Sequence, residues 1–389
     1  MPKAAVVKGL RRGARLLGVA LLCAAAAVRA DAAGCSGWPA WEAFRTRFVS
    51  DDGRVIDWTT PRRHTVSEAQ AYALLFALAA DDRLSFDRVL TWTKNNLAQG
   101  DLTRHLPAWQ WGQREDGSYG PLDANAATDA DLWIAYALAE GGRIWREPTL
   151  TALSHALGAQ ILRDSAAELP GLGLVLLPGP VGFADANGGW RLNPSYLPLQ
   201  ALRGLAGAHP DQRALWLEVV GSSIAVLQQS APGGYAPDWV HVDGRGAFGF
   251  DEQAPPVGSY GAIRVYLWLG LLDPADPARA TLLKQFEPMA RRIARDGQPA
   301  ERIDASTGAV LAPRSPGSFS AAVAPWLQQV DARTARRQWQ RAARLMPDPD
   351  SYYSNALLLL AQGWREGRLR FDAEGRLLRR EAQCRARVG

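Results

Sequence analysis

Glu68 lies in HTVSEAQAYALLFALAA, residues 64–80 of a 389-residue chain. Helical spacing puts it on one face with Tyr72, Leu75 and Phe76. Apolar walls of that kind keep a carboxyl protonated, ready to act as an acid. A structural role competes: Thr65 and Glu68 fit a capping box, in which the glutamate satisfies a helix-end N–H. Taken alone, this stretch favours the cap. A second acidic stretch is LDANAATDADLWIAYAL, residues 122–138, with Asp123, Asp129 and Asp131. Acids at a helix start also serve the helix dipole. Asp129 and Asp131 stand two apart and point to nearly opposite sides, so at most one faces a cleft squarely. The third stretch is VGSYGAIRVYLWLG, residues 257–270. Its single charge, Arg264, sits in an apolar helix and needs an acidic partner if buried. The residue one turn earlier is Gly261.

Other chemistries find little support. The five histidines form no H-E-x-x-H, and the acids form no D-x-D-x-D-G calcium loop, so no metal is expected. There is no G-x-S-x-G, P-loop or dinucleotide fingerprint, and no cofactor is expected. Many of the 15 tryptophans stand in loop-like stretches, among them Trp109 and Trp111 of PAWQWG, Trp190 of GGWRLNPSY and Trp239 of PDWV. Core packing accounts for most tryptophans in general. Several facing one cleft would form stacking platforms for sugar rings.

These side chains need a scaffold, and helical periodicity dominates the chain. Candidate helices run over Ala40–Val49, Val66–Ala80, Phe86–Leu97, Ala130–Ile144, Thr149–Arg163, Gln212–Gln229, Ala262–Leu272, Ala278–Arg295, Phe319–Val330, Ala332–Leu345 and Tyr352–Trp364. Short strand pairs are expected within Pro170–Pro198 and around DGRG between Trp239 and Phe250. With 47% hydrophobic residues and no linker, one all-α domain over residues 34–389 is expected. A closed ring of helical hairpins would build its cleft from loops and helix N-termini at one end.

Residues 1–33 read as a secretory signal peptide: a basic start, an apolar run from Leu16 to Val28, then small residues. They carry Lys3, Lys8, Arg11, Arg12, Arg15 and Arg29 against Asp31. That equals the formal +5 of the whole chain, so the remainder is neutral and carries no nucleic-acid footprint. No later segment is long and apolar enough for a membrane span. Cys23 leaves with the leader, and Cys35 and Cys384 are disulfide candidates in an oxidising compartment.

Taken together, WPAWEAFRTRFVSDDGRVID, TVSEAQAYALLFALA, FDRVLTWTKNNLAQG, LPAWQWG, ATDADLWIAYAL, PGLGLVLLPGPVGFA, WRLNPSYLP, PDWV, SYGAIRVYLWLG, GSFSAAVAPWLQ and SYYSNALLLLAQGW resemble glycoside hydrolase family 8, from Trp38 to about Trp364. The resemblance implies an (α/α)6 barrel. It implies an endo-β-1,4-glucanase of bacterial cellulose biosynthesis, exported to the periplasm or secreted. β-1,4-Glucan is then the substrate, and a cellulose synthase complex a further partner. It also implies inversion, with an acid on one face of the sugar and a base carboxylate on the other. Glu68 matches the family's general acid and Asp129 a second active-site carboxylate. Trp111, Asn193, Tyr196 and Tyr353 resemble groups lining the sugar site, and Arg264 the partner of the base. The base aspartate falls at Gly261, a degenerate position here. Asp251 and Glu252 are candidate substitutes. The alternatives are a weakened glucan-binding protein of the export apparatus, or a related chitosanase or xylanase.

Overall fold

The computed structural model describes residues 37–379. The signal segment 1–33, Cys35 and Cys384 lie outside the described residues. Helices in this range are α1 (Pro39–Phe48), α2 (Ser67–Ala79), α3 (Arg83–Leu97), α4 (Thr128–Trp145), α5 (Pro148–Asp164), α6 (Leu199–Ala208), α7 (Arg213–Gln229), α8 (Ile263–Leu271), α9 (Arg279–Gln285), α10 (Glu287–Asp296), α11 (Gly317–Val330), α12 (Ala332–Arg344) and α13 (Tyr352–Arg365).

Six of them close a ring in which each packs on the next: α2, α4, α6, α8, α11, α13 and back to α2. Composition separates this inner ring from the outer helices. In α2 the run from Ala69 to Leu78 is wholly buried, and every residue of α8 is buried. A helix apolar all round belongs inside. α12, ARTARRQWQRAAR, buries only Thr334, Ala335, Gln338 and Ala342 and leaves Arg333, Arg336, Arg337 and Arg344 exposed. The outer helices α3, α5, α7 and α12 each pack against the inner helix beside them in sequence. This is an (α/α)6 barrel, and residues 40–379 form one compact unit. No helix of the described residues is long and apolar enough to cross a membrane.

The inner helices run the same way, so their N-termini gather at one end. The loops there carry short strands. β1 (Thr65–Val66), β2 (Ala108–Gln113) and β3 (Tyr119–Ala126) form one sheet, with Thr65 opposite Trp111. β4 (Ala166–Leu169) pairs with β5 (Gly173–Leu176). β6 (Trp190–Leu192), β7 (Val240–Val242) and β8 (Phe248–Gly249) form a second three-stranded sheet. β9 (Val257–Gly258), β10 (Arg302–Asp304) and β11 (Val310–Ala312) form a third.

Several elements depart from the expectation, among them the sheet of β9, β10 and β11, for which no strand was expected. The single helix over Ala278–Arg295 is two, α9 and α10, meeting at Phe286. Pro288 lies in the first turn of α10, where it lacks an N–H and its ring excludes a continuous helix. Helix α6 was not expected, because Gly204 and Gly207 weaken its propensity. Packing requires Gly204, since a Cβ there would come within 2.4 Å of the Tyr136 ring. The β2–β3 hairpin was also missed, although its turn holds Asp116-Gly117 with Gly117 at φ +84°.

Candidate active site

The first turns of three inner helices meet over one guanidinium. Arg264 comes from α8, Glu68 from α2 and Asp129 from α4. Arg264 Nη1 donates to Asp129 Oδ2 at 2.9 Å and also to Glu68 Oε2. Its Nη2 donates to Ser195 Oγ at 3.1 Å. The guanidinium lies 5.4 Å from the Tyr196 ring and 5.9 Å from the Tyr353 ring. It is 5% exposed, so its partners must come from the protein. Two other helices thus supply the acidic partners of Arg264.

The supporting residues explain this geometry. Asn193 Oδ1 accepts from the backbone N–H of Ser195 at 3.0 Å and from Ser195 Oγ at 2.7 Å. That aims the serine oxygen at Arg264. One turn further along α8, Trp268 Nε1 donates to the Ser195 carbonyl at 2.9 Å and ties the same turn down. Tyr352 donates its hydroxyl to Glu68 Oε1 at 3.3 Å. Tyr353 donates to the Tyr260 carbonyl at 2.5 Å, beside Gly261.

Burial pushes the Asp129 carboxyl up to about 7, the neighbouring Glu68 charge adds to it, and Arg264 opposes both. Burial likewise raises the Tyr72 and Tyr196 hydroxyls well above their ordinary range, so both stay protonated. Two carboxylates on one arginine therefore keep a proton within the cluster near neutral pH. Glu68 is the more open of the two, its side chain 16% exposed against 5% for Asp129. A proton held beside an accessible carboxyl, with aromatic faces around it, suits acid catalysis on a sugar.

The capping box does not form. Thr65 donates its hydroxyl to the Val55 carbonyl at 2.7 Å, and α2 begins without a side-chain cap. Glu68 is thereby free for the cluster. Asp129 faces the cluster and Asp131 does not, as their spacing requires. Asp131 is fully buried, neither oxygen has a hydrogen-bond partner among the described residues, and burial raises its carboxyl well above the usual range. Asp123 is exposed and accepts from the Asn125 N–H. Trp111 lies on β2 opposite Thr65 of β1, and among the described residues none of its ring contacts is with a cluster residue. Its ring packs on Trp92 at 5.1 Å, Tyr119 at 5.4 Å and the Arg54 guanidinium at 4.4 Å. Asp251 and Glu252 are exposed, and Asp251 accepts from the N–H groups of Gln253 and Ala254 in its own turn. Neither joins the cluster. Ser195 and Tyr352 were missed, although each adjoins a candidate, in NPSY and SYYS.

Known proteins resemble this chain along most of its length. The family model described as glycosyl hydrolases family 8 matches residues 17–367. The chain is 43% identical over 358 residues to an endoglucanase of Escherichia coli O157:H7, covering 92% of this chain and 94% of that one. It is 45% identical over 371 residues to an endoglucanase of Xanthomonas axonopodis pv. citri, covering 93% and 94%. The crystal structure of an endo-1,4-D-glucanase from Vibrio fischeri ES114 superposes with a TM-score of 0.83 at 42% identity, covering 89% of this chain and 99% of that chain. With its ring of helices and its paired carboxylates, the chain belongs to glycosyl hydrolase family 8.

Proposed function

We propose that this protein hydrolyses β-1,4-glucan chains internally, as an endo-β-1,4-glucanase. The observation that carries this reading is the sharing of Arg264 by Glu68 and Asp129 at the mouth of the barrel. Glu68 is the general acid: it protonates the oxygen of the leaving sugar. Asp129 and Arg264 grip the sugar at the cleavage point and hold the acid in place. Tyr196 and Tyr353 offer apolar ring faces to the substrate, and Asn193 fixes the turn that carries Tyr196. Inversion follows if the carboxylate that activates water lies across the sugar from Glu68. The reading extends to an exported enzyme of cellulose biosynthesis acting beside a cellulose synthase complex. The leader at residues 1–33 supports export.

Release of new reducing ends from carboxymethylcellulose tests the activity. The wild type should release them and Glu68→Gln should not. Gly261 favours a second reading, since a glycine can neither take a proton nor hold water by charge. Under that reading the protein binds glucan and releases nothing. Activity on xylan or chitosan alone would instead mark a different glycan as substrate.

A further inference from the structure

The cluster holds two carboxylates, and neither is suited to activate water. Glu68 is taken up as the acid, and Asp129 is nearly buried and shares Arg264 Nη1 with Glu68, on the acid's own side of the site. A glycoside hydrolase needs a second carboxylate placed across the sugar. The turn before α8 points to one. A Cβ built on Gly261 would lie 3.0 Å from Asp238 Oδ1 and 3.4 Å from its Cγ. The Asp238 carboxylate therefore lies directly beside the space that a side chain at 261 would enter.

That carboxylate is oriented from three directions. Asp238 Oδ1 accepts from the backbone N–H of Ser259 at 2.8 Å and of Ala262 at 2.7 Å. Oδ2 accepts from Ser259 Oγ. An ionised carboxylate offers about four acceptor positions, so one remains on Oδ2 for a water molecule. Asp238 is half-buried, and its neighbours on both sides reach the cluster. Trp239 packs against Tyr196 with ring centres 6.3 Å apart, and Tyr196 faces Arg264. On the other side Tyr260 receives the Tyr353 hydroxyl, and Tyr353 faces Arg264.

We propose that Asp238 is the general base of this enzyme, in place of a side chain at 261; this rests on the glycanase reading of the Glu68 cluster. Asp238 takes a proton from water. The water oxygen bonds to the anomeric carbon, the bond from that carbon to the bridging oxygen breaks, and Glu68 gives its proton to that oxygen. Two shorter chains leave. Asp238 holds a proton and Glu68 has lost one, and exchange with solvent restores both.

The test compares wild type, Asp238→Asn and Asp238→Ala on carboxymethylcellulose, with and without sodium azide. Asp238→Asn keeps the acceptor for the Ser259 and Ala262 N–H groups and removes the base. Its kcat should fall about 10²–10⁴-fold with KM little changed. Azide attacks the anomeric carbon without needing a base, so it should restore turnover in Asp238→Ala and release a glucosyl azide. Gly261→Asp added to Asp238→Asn should recover at least about tenfold. A kcat within about twofold of wild type in Asp238→Asn overturns the proposal. So does a loss that azide does not rescue and that Gly261→Asp does not recover, which marks Asp238 as only a cap for α8. If the wild type cleaves xylan or chitosan but not carboxymethylcellulose, the substrate reading fails, and the same variants on the cleaved glycan decide the base. If it cleaves none of them, both readings fall.

Discussion

At the N-terminal end of the inner helices, Glu68 and Asp129 share the single guanidinium of Arg264. At the opposite end each buried carboxylate has an arginine of its own. Asp276, just past α8, accepts from Arg203 Nε at 2.7 Å, from Arg203 Nη2 at 3.1 Å and from the Ala278 N–H at 2.8 Å. Glu140 lies about 16 Å along α4 from Asp129 by helical rise. It accepts from Arg143 Nε at 2.8 Å and from the Leu377 N–H at 2.7 Å. One-to-one pairs leave no net charge buried and fasten the barrel. Two acids on one arginine leave an excess negative charge in a dry place, and the site relieves it by keeping a proton. The same residue types thus form closed pairs at one end and a shared cluster at the other, and under the proposed function their ratio separates structural from chemical work.

Glu68→Gln should break this contrast most severely. It keeps the shape and removes the transferable proton, so kcat on carboxymethylcellulose should fall about 10²–10⁴-fold while Tm stays or rises. Arg203→Ala should do the reverse. It leaves Asp276, whose side chain is 2% exposed, buried without its cation. Denaturant unfolding should show a loss of about 3–5 kcal/mol. Activity per folded molecule should be unchanged. A variant of Arg203 that lost kcat and kept its stability would erase the distinction between the two ends.

The pH dependence sharpens the comparison next. Asp129 is raised from an ordinary 3.8 to about 7, so between those values the folded protein holds a proton that the unfolded chain has released. That contribution to stability is complete below about pH 4 and is lost as pH rises towards 7. Asp129→Asn should therefore flatten the fall of Tm across this window. The smallest effect is expected for Ser195→Ala, which removes one partner of Arg264. A hydrogen bond to a charged group contributes about 1.5–3 kcal/mol. Unfolding experiments should find a loss at the low end of that range, because both carboxylates remain on the arginine.

Much of this was legible in the residues. The apolar runs of α2, α8 and α11 mark helices with no wet face, and a closed ring is one way to bury them. Periodicity located most helices, because each buries a stripe or its whole surface. It failed where a tertiary contact set the outcome. α6 carries glycines that weaken a helix in isolation, and one of them, Gly204, serves it against Tyr136. Asp129 and Asp131 could be separated by spacing, but not which of them reaches the cluster. The capping box at Thr65 was a sound local reading, yet the threonine hydroxyl is drawn to Val55, ten residues back. Asp251 and Glu252 were near Gly261 in sequence, whereas the carboxylate beside it is Asp238.

By itself the sequence determined a helical chain with a neutral body, an acid at a helix start and an arginine in need of a partner. Those properties follow from short-range spacing and from composition. Only the tertiary structure decided who the partners are. Glu68 and Arg264 stand 196 residues apart, and Asp129 and Arg264 stand 135 apart. They meet because buried charge has to be neutralised where the ring closes, and no local pattern encodes that point.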